Sequence, residues 1–198
     1  MAISLVKGQK ISLEKENGST LSQIKMGLGW DVAKPKAKGI LGAIFGGGQP
    51  ESIDLDASCI LFDVAKNQVD AVWFRQLKSK DGSIRHSGDN LTGEGEGDDE
   101  SIFVDLPKVP ANVQTLVFTI NSFRGQTFNQ IDNAYCRLVN MSGEQEIARY
   151  TLTGGGDYTG YIMAKVYRHN NEWKMAALGE PSNGQTFQNM LSDIVKTL

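Results

Sequence analysis

The chain has 198 residues, 40% apolar and 22% charged, with 20 basic and 23 acidic side chains and a formal charge of −3. That length and balance describe one full-sized domain with its own core, exclude a disordered chain, and offer no bulk positive charge to nucleic acid. Two cysteines, Cys59 and Cys136, exclude a disulfide framework or a four-thiolate zinc site, and 22 glycines, about 11% against a usual ~7%, argue for turns over a helical bundle. No apolar run reaches the ~18 residues of a membrane span, and Met1–Lys7 lacks the basic and long apolar regions of a secretory signal. The expectation is a soluble cytoplasmic protein with no direct membrane insertion.

In chain order, Leu21–Trp30 alternates apolar and polar residues at period two, the mark of a half-buried strand. Ala33–Pro50 breaks the pattern with Lys34, Lys36, Lys38 and a run of glycines, and reads as a surface loop whose Ile40, Leu41, Ala43, Ile44 and Phe45 could serve docking. Ser58–Phe62 and Val69–Phe74 read as two strands joined around Ala65–Gln68, and Lys80–Ser83 as a turn with Gly82 free to take φ > 0. Strands are also expected at Ile84–His86, Ser101–Asp105, Gln114–Phe123, Ala134–Asn140, Glu146–Leu152, Gly160–Arg168 and Trp173–Leu178, with a turn at Asn170–Asn171. Phe187, Met190, Leu191, Ile194, Val195 and Leu198 fall on one face of a helix. The fold class is therefore all-β: an antiparallel β-sandwich of about ten strands, closed by a C-terminal amphipathic helix. No repeat divides residues 1–198, so a single domain is expected, carrying the Lys/Gly-rich loop at 33–50.

Charge is distributed unevenly. Asp89–Glu100 holds six carboxylates and no Lys or Arg, leaving 17 acidic against 20 basic residues in the rest of the chain. Within it, Gly93-Glu94-Gly95-Glu96-Gly97 alternates carboxylates with glycines, which let the backbone turn and bring carbonyl oxygens toward a ligand. Carboxylate, amide and backbone oxygens offered at flexible geometry suit calcium first and magnesium second. The stretch has the length of an EF-hand loop, but Leu91, Gly93 and Glu94 stand where that loop needs ligands and a glycine. Six carboxylates would repel phosphate, which excludes a phosphate cradle without a bridging metal. Asp54 and Asp56, two apart, share one face of a strand, and Asp31 follows Trp30 at a strand end. A solvated acidic edge is the competing reading of all these residues.

Catalysis finds no support in the sequence. Cys59 and Cys136 lie inside apolar strand runs and are not paired as Cys-x-x-Cys. His86 and His169 are the only histidines, both beside turns, and no nucleophile elbow, phosphate loop or dinucleotide fingerprint occurs. Trp30, Trp73 and Trp173 are expected as core or core-edge anchors.

Gly27-Leu28-Gly29-Trp30-Asp31, Asp54-Leu55-Asp56-Ala57-Ser58, the run from Gly88 to Glu100, Glu146–Tyr150 and Tyr167–Trp173 together resemble the TerD family of tellurite-resistance and stress-response proteins, over essentially the whole chain. The resemblance implies a calcium-binding β-sandwich. Its implied ligands are Asp31, Asp54 and Asp56 from strand ends and Asp89, Asn90, Asp98, Asp99 and Glu100 from the loop, with Gly93 and Gly95 presenting carbonyls or permitting the turn. It further implies a non-catalytic interaction module, with other tellurite-resistance proteins as partners and membrane-peripheral association through them. The alternative is a metal-dependent binder or enzyme for a phosphate-containing metabolite. The 33–50 loop departs from shorter family members and leaves the ligand spacing between Asp31 and Asp54 open.

Overall fold

The computed structural model describes residues 2–14, 20–33, 53–90, 97–170 and 172–198. Two six-stranded sheets pack face to face. The first contains β1 (Ile3–Ser4), β3 (Gln23–Val32), β6 (Ile84–His86), β7 (Glu100–Asp105), β9 (Ile131–Asn140) and β10 (Gln145–Thr151), in the order β1-β10-β9-β3-β7-β6. The second contains β2 (Lys10–Ser12), β4 (Leu55–Asp63), β5 (Gln68–Val72), β8 (Val113–Ser122), β11 (Gly160–His169) and β12 (Glu172–Ser182), in the order β2-β12-β11-β8-β4-β5. All pairings are antiparallel except the short one between β1 and β10, which is parallel. The sandwich is thus the expected one, with two edge strands near the chain start and one mixed edge added.

Period-two alternation explains the layering. Ile24, Met26, Leu28 and Trp30 of β3 point into the core between the sheets, meeting Leu55, Ala57, Cys59 and Leu61 of β4 and Leu116, Phe118 and Ile120 of β8. The opposite faces differ. On the second sheet, Ile60, Phe62, Val117 and Ile162 form a separate cluster with Phe187, Met190 and Ile194 of α1 (Phe187–Lys196). β4 is therefore buried on both faces, which accounts for the apolar run Cys59–Phe62 within it. The helix end is tied down by Lys66 Nζ, which donates to the Leu198 carbonyl at 2.9 Å, and by Lys165 Nζ, which donates to that of Thr197.

Trp30 and Trp173 are buried in the main core, while Trp73 sits half-buried against the helix cluster, its ring edge-on to Phe187 at 5.2 Å between centroids. The turn expected at Lys80–Ser83 has Gly82 at φ 78°. Apart from Ala33, the Lys/Gly-rich stretch at 33–50 lies outside the described residues.

Candidate metal centre

Asp54 and Asp56 stand at the start of β4, on the face that lower down receives the helix, and are 5% and 4% exposed. Asp89 approaches them from the segment after β6, so that one carboxylate oxygen from each of the three lies within 4.8 Å of the others. Glu100, first residue of β7, completes the group. Its partner across the strand pair is the inward-facing Leu28, and its Oε2 accepts from the Ala57 amide at 2.6 Å and its Oε1 from the Asn90 amide at 3.0 Å. Three carboxylates therefore meet at the start of β4, with that of Glu100 close enough to act on them.

The electrostatics show the strain of that arrangement. Burial pushes Asp56 up to about 8, with the charges of Glu100, Asp54 and Asp89 adding to it. Burial likewise raises Asp54, helped by Asp89 and Glu100 and opposed by Arg124, whose Nε is 3.7 Å from Asp54 Oδ2. Asp54 Oδ1 is buried without a hydrogen-bond partner among the described residues. So is Oδ1 of Asn121, which faces Asp56 across β4 and β8 and donates through Nδ2 to Asp56 Oδ2 at 3.4 Å and to the Gln185 carbonyl at 2.7 Å. Orphaned acceptors beside crowded carboxylates ask for a positive partner. Because every offered atom is oxygen, the set fits a hard cation.

The other residues singled out from the sequence are placed differently. Asp98 turns to the outer face of the first sheet, where Lys25 lies at 2.8 Å and Arg137 Nε and Nη2 at 2.5 and 3.0 Å. Burial works against its charge, yet Arg137 and Lys25 outweigh it and hold the carboxyl below its usual range. Arg137 continues to Glu146 at 3.0 Å, and Glu146 to Arg149 at 2.9 Å, whose guanidinium covers the Tyr135 ring. Tyr135 in turn donates to the Gly97 carbonyl at 2.6 Å, anchoring the loop end. Asp98 fits here because it lies over Gly27, where a Cβ would collide with its carboxyl group.

Asp99 Oδ2 accepts from the Trp30 amide at 2.8 Å; burial raises its pKa, with Asp31 adding to the effect. Asp31 is exposed and accepts from Asn133 Nδ2 at 2.8 Å. Asp31 and Asp99 thus form a second acidic pair, separate from the three-carboxylate group. Asn90 approaches Asp99 with its side chain while its amide holds Glu100. Gly93 and Gly95 lie outside the described residues.

Sequence reasoning passed over Asn121 and Arg124, and set His86 aside as a residue beside a turn. Asn121 and Ser122 are a polar pair ending a strand that is otherwise buried, which is a readable signal. Arg124 follows two residues later. His86 is buried, its Nδ1 accepts from the Gly88 amide at 3.1 Å, and its Nε2 lies 3.3 Å from Glu100 Oε2 without the alignment of a hydrogen bond. Nothing in its sequence context announces that neighbour. Burial pushes the Cys136 thiol up to about 12 and raises that of Cys59 further.

The sequence pattern of the TerD domain matches residues 1–195. The chain is 52% identical over 196 residues to tellurium resistance protein TerZ of Serratia marcescens, covering 99% of this chain and 98% of that protein. It is 42% identical over 202 residues to stress response protein SCP2 of Bacillus subtilis (strain 168), covering 98% and 100%. A crystal structure of a telluride-resistance (TerD) homologue, SCO6318 from Streptomyces coelicolor A3(2), superposes with a TM-score of 0.62 at 15% identity, covering 85% of this chain and 94% of that one, which shows the shared fold.

Proposed function

The chain belongs to the TerD family, and on that premise we propose that it is a calcium-binding, non-catalytic interaction module of the tellurium-resistance and stress response, acting in the cytoplasm beside other tellurium-resistance proteins. The observation that carries the reading is the meeting of Asp54, Asp56 and Asp89 within 4.8 Å while a buried Asp54 oxygen has no hydrogen-bond partner among the described residues. Those three residues would hold the cation, with Glu100 and the Asn121 carbonyl oxygen beside them. When bound, calcium supplies positive charge that cancels the mutual repulsion of these groups and tolerates an irregular oxygen shell.

The chain's own residues set what such binding would do. Asp54 and Asp56 are held by β4, which is fixed on both faces, so they form the rigid half of the centre. Asp89 and Asn90 come from the segment after β6 and form the other half. Closing one half on the other would order the acidic loop and present it to a partner. Buried thiols with raised pKa supply no thiolate for reducing an oxyanion, which supports binding over redox catalysis. Among the described residues no helix is long and apolar enough to cross a membrane, in keeping with attachment through partner proteins.

The test is a calorimetric calcium titration of chelator-stripped protein with magnesium present, melting temperature followed in parallel. Saturable heat is expected, with a stabilisation of about 2.7 kcal/mol at a hundred times the dissociation constant, both lost in Asp54→Asn and Asp56→Asn. Absence of heat and of any melting shift would overturn the reading and leave a solvated acidic face.

A further inference from the structure

The helix covers one outer face of the sandwich, whereas the outer face of the first sheet has no helix on it among the described residues. Strand register lays its side chains out in rows. Lys78 forms an antiparallel bridge with Arg85 of β6, Arg85 stands opposite Phe103 of β7, and Phe103 opposite Lys25 of β3. Residues directly opposite share a face, so Arg85 and Lys25 flank the Phe103 ring and Lys78 lies one row beyond Arg85. Lys25 is answered by Asp98 at 2.8 Å. Lys78 and Arg85 are not: among the described residues no carboxylate lies within 4 Å of either. The Arg85 guanidinium lies over the Phe103 ring at 4.2 Å, and the Lys78 stem runs beside Gly82. Two like charges directly opposite each other are unfavourable, and here they are kept adjacent by the backbone.

The adjoining row carries a second, independent sign. Ser83 is 3% exposed, and its hydroxyl has no hydrogen-bond partner among the described residues. A groove of about 330 Å³ is lined by Lys78, Ser83, Arg85, Phe103, Asp105 and Met141, among others, at the small end of ligand-binding clefts. Asp105 is already committed to Lys108 at 2.7 Å, so the charge left over in the groove is that of Lys78 and Arg85.

We propose that this groove binds a small phosphate monoester, with its phosphoryl oxygens accepting from the Lys78 ammonium, the Arg85 guanidinium and the Ser83 hydroxyl, and its apolar body against Phe103 and Met141. The phosphoryl group is assigned over a carboxylate on two counts. Three donors on separate residues call for three terminal oxygens, and two unanswered cations call for close to two negative charges. The groove shares no residue with the carboxylate centre, so this binding is independent of the cation.

The experiment is a titration of the full chain with phenyl phosphate at low ionic strength in excess chelator, followed by amide NMR shifts. Saturable shifts are expected at Ser83, Arg85 and Phe103. Lys78→Met and Arg85→Gln each weaken binding about tenfold and Ser83→Ala about fivefold, while Asp54→Asn leaves it unchanged. All variants are first checked for wild-type amide spectra outside the groove. No saturable shift, or wild-type affinity in the Lys78→Met/Arg85→Gln double variant, would overturn the proposal. Benzoate binding as tightly as phenyl phosphate would overturn the phosphoryl assignment, and binding that requires added calcium would place the anion on the carboxylate centre instead.

Discussion

The backbone amide of Ala57, on β4 of one sheet, donates to Oε2 of Glu100, on β7 of the other, across 2.6 Å. With the Asn90 amide on its second oxygen at 3.0 Å, this one buried carboxylate joins the two sheets and the acidic loop. Its position makes a structural part of the candidate centre experimentally separable from the cation-holding part.

Glu100→Gln keeps the shape but turns an amide N–H₂ toward one of two backbone donors. Leaving a buried donor unpaired costs about 2 kcal/mol, which for a domain of this size lowers Tm by about 4–8 °C. Chelator-treated protein should show that loss in a denaturant or thermal melt. A melt equal to wild type would show that Glu100 does not join the sheets.

Asp56→Asn and Asp98→Asn should separate cleanly although both alter acidic residues. Asp56→Asn is expected to abolish the calcium-dependent rise in Tm and leave the chelator-treated protein no less stable, because a crowded buried charge is removed. Asp98→Asn breaks the pairing with Lys25 and Arg137, costs about 2 kcal/mol, and keeps the calcium-dependent rise. Paired melts with chelator and with calcium decide it; loss of the rise in Asp98→Asn would return that residue to the ligand set.

Glu146 gives a pH dependence with a defined sign. Hydrogen bonds from Arg149, and after them from Arg137, hold its carboxyl below its usual range despite partial burial. A lowered folded-state pKa contributes stability above the unfolded value and loses it as pH falls through the folded one. The Tm difference between wild type and Glu146→Gln should therefore be full above about pH 5.5 and shrink as pH drops below about 4. A difference independent of pH would show that packing, not charge, is what the substitution removes.

Both thiols should be silent in the native state. Cys59 and Cys136 are fully buried with raised pKa, so an aromatic disulfide reagent at pH 8 should label neither until denaturant is added, and then both. Rapid labelling of the native chain would reopen thiol chemistry as a function.

Much of this was legible in the sequence where periodicity was long enough to read. Gln23–Val32 alternates over ten residues, and the helix repeats its apolar positions over three turns. Ile3–Ser4 and Lys10–Ser12 carry no period of their own; they are strands because β10 and β12 offer free ladder positions. At the centre, Asp54 and Asp56 were readable as a pair from their spacing. Asp98, Asp99 and Glu100 were not separable by composition, because β7 begins only at Glu100 and the two residues before it lie outside the ladder, where no strand alternation sets their directions. Asp98 goes outward to Lys25, Asp99 caps the Trp30 amide, and Glu100 turns inward to Ala57. Asn121 reaches Asp56 from sixty-five positions away, a relationship only the folded sheet creates.

Gly27 and Asp98 occupy a single volume between them, since the space a Cβ would need at 27 is filled by the carboxyl group of 98. Their substitution histories are therefore bound together. A lineage in which position 98 shrinks to serine or alanine frees position 27 to gain a side chain, and once it has, aspartate at 98 is barred from returning. Drift at this corner of the sheet runs through one gate in one order, and chains on either side of it would carry Lys25 and Arg137 with different work to do.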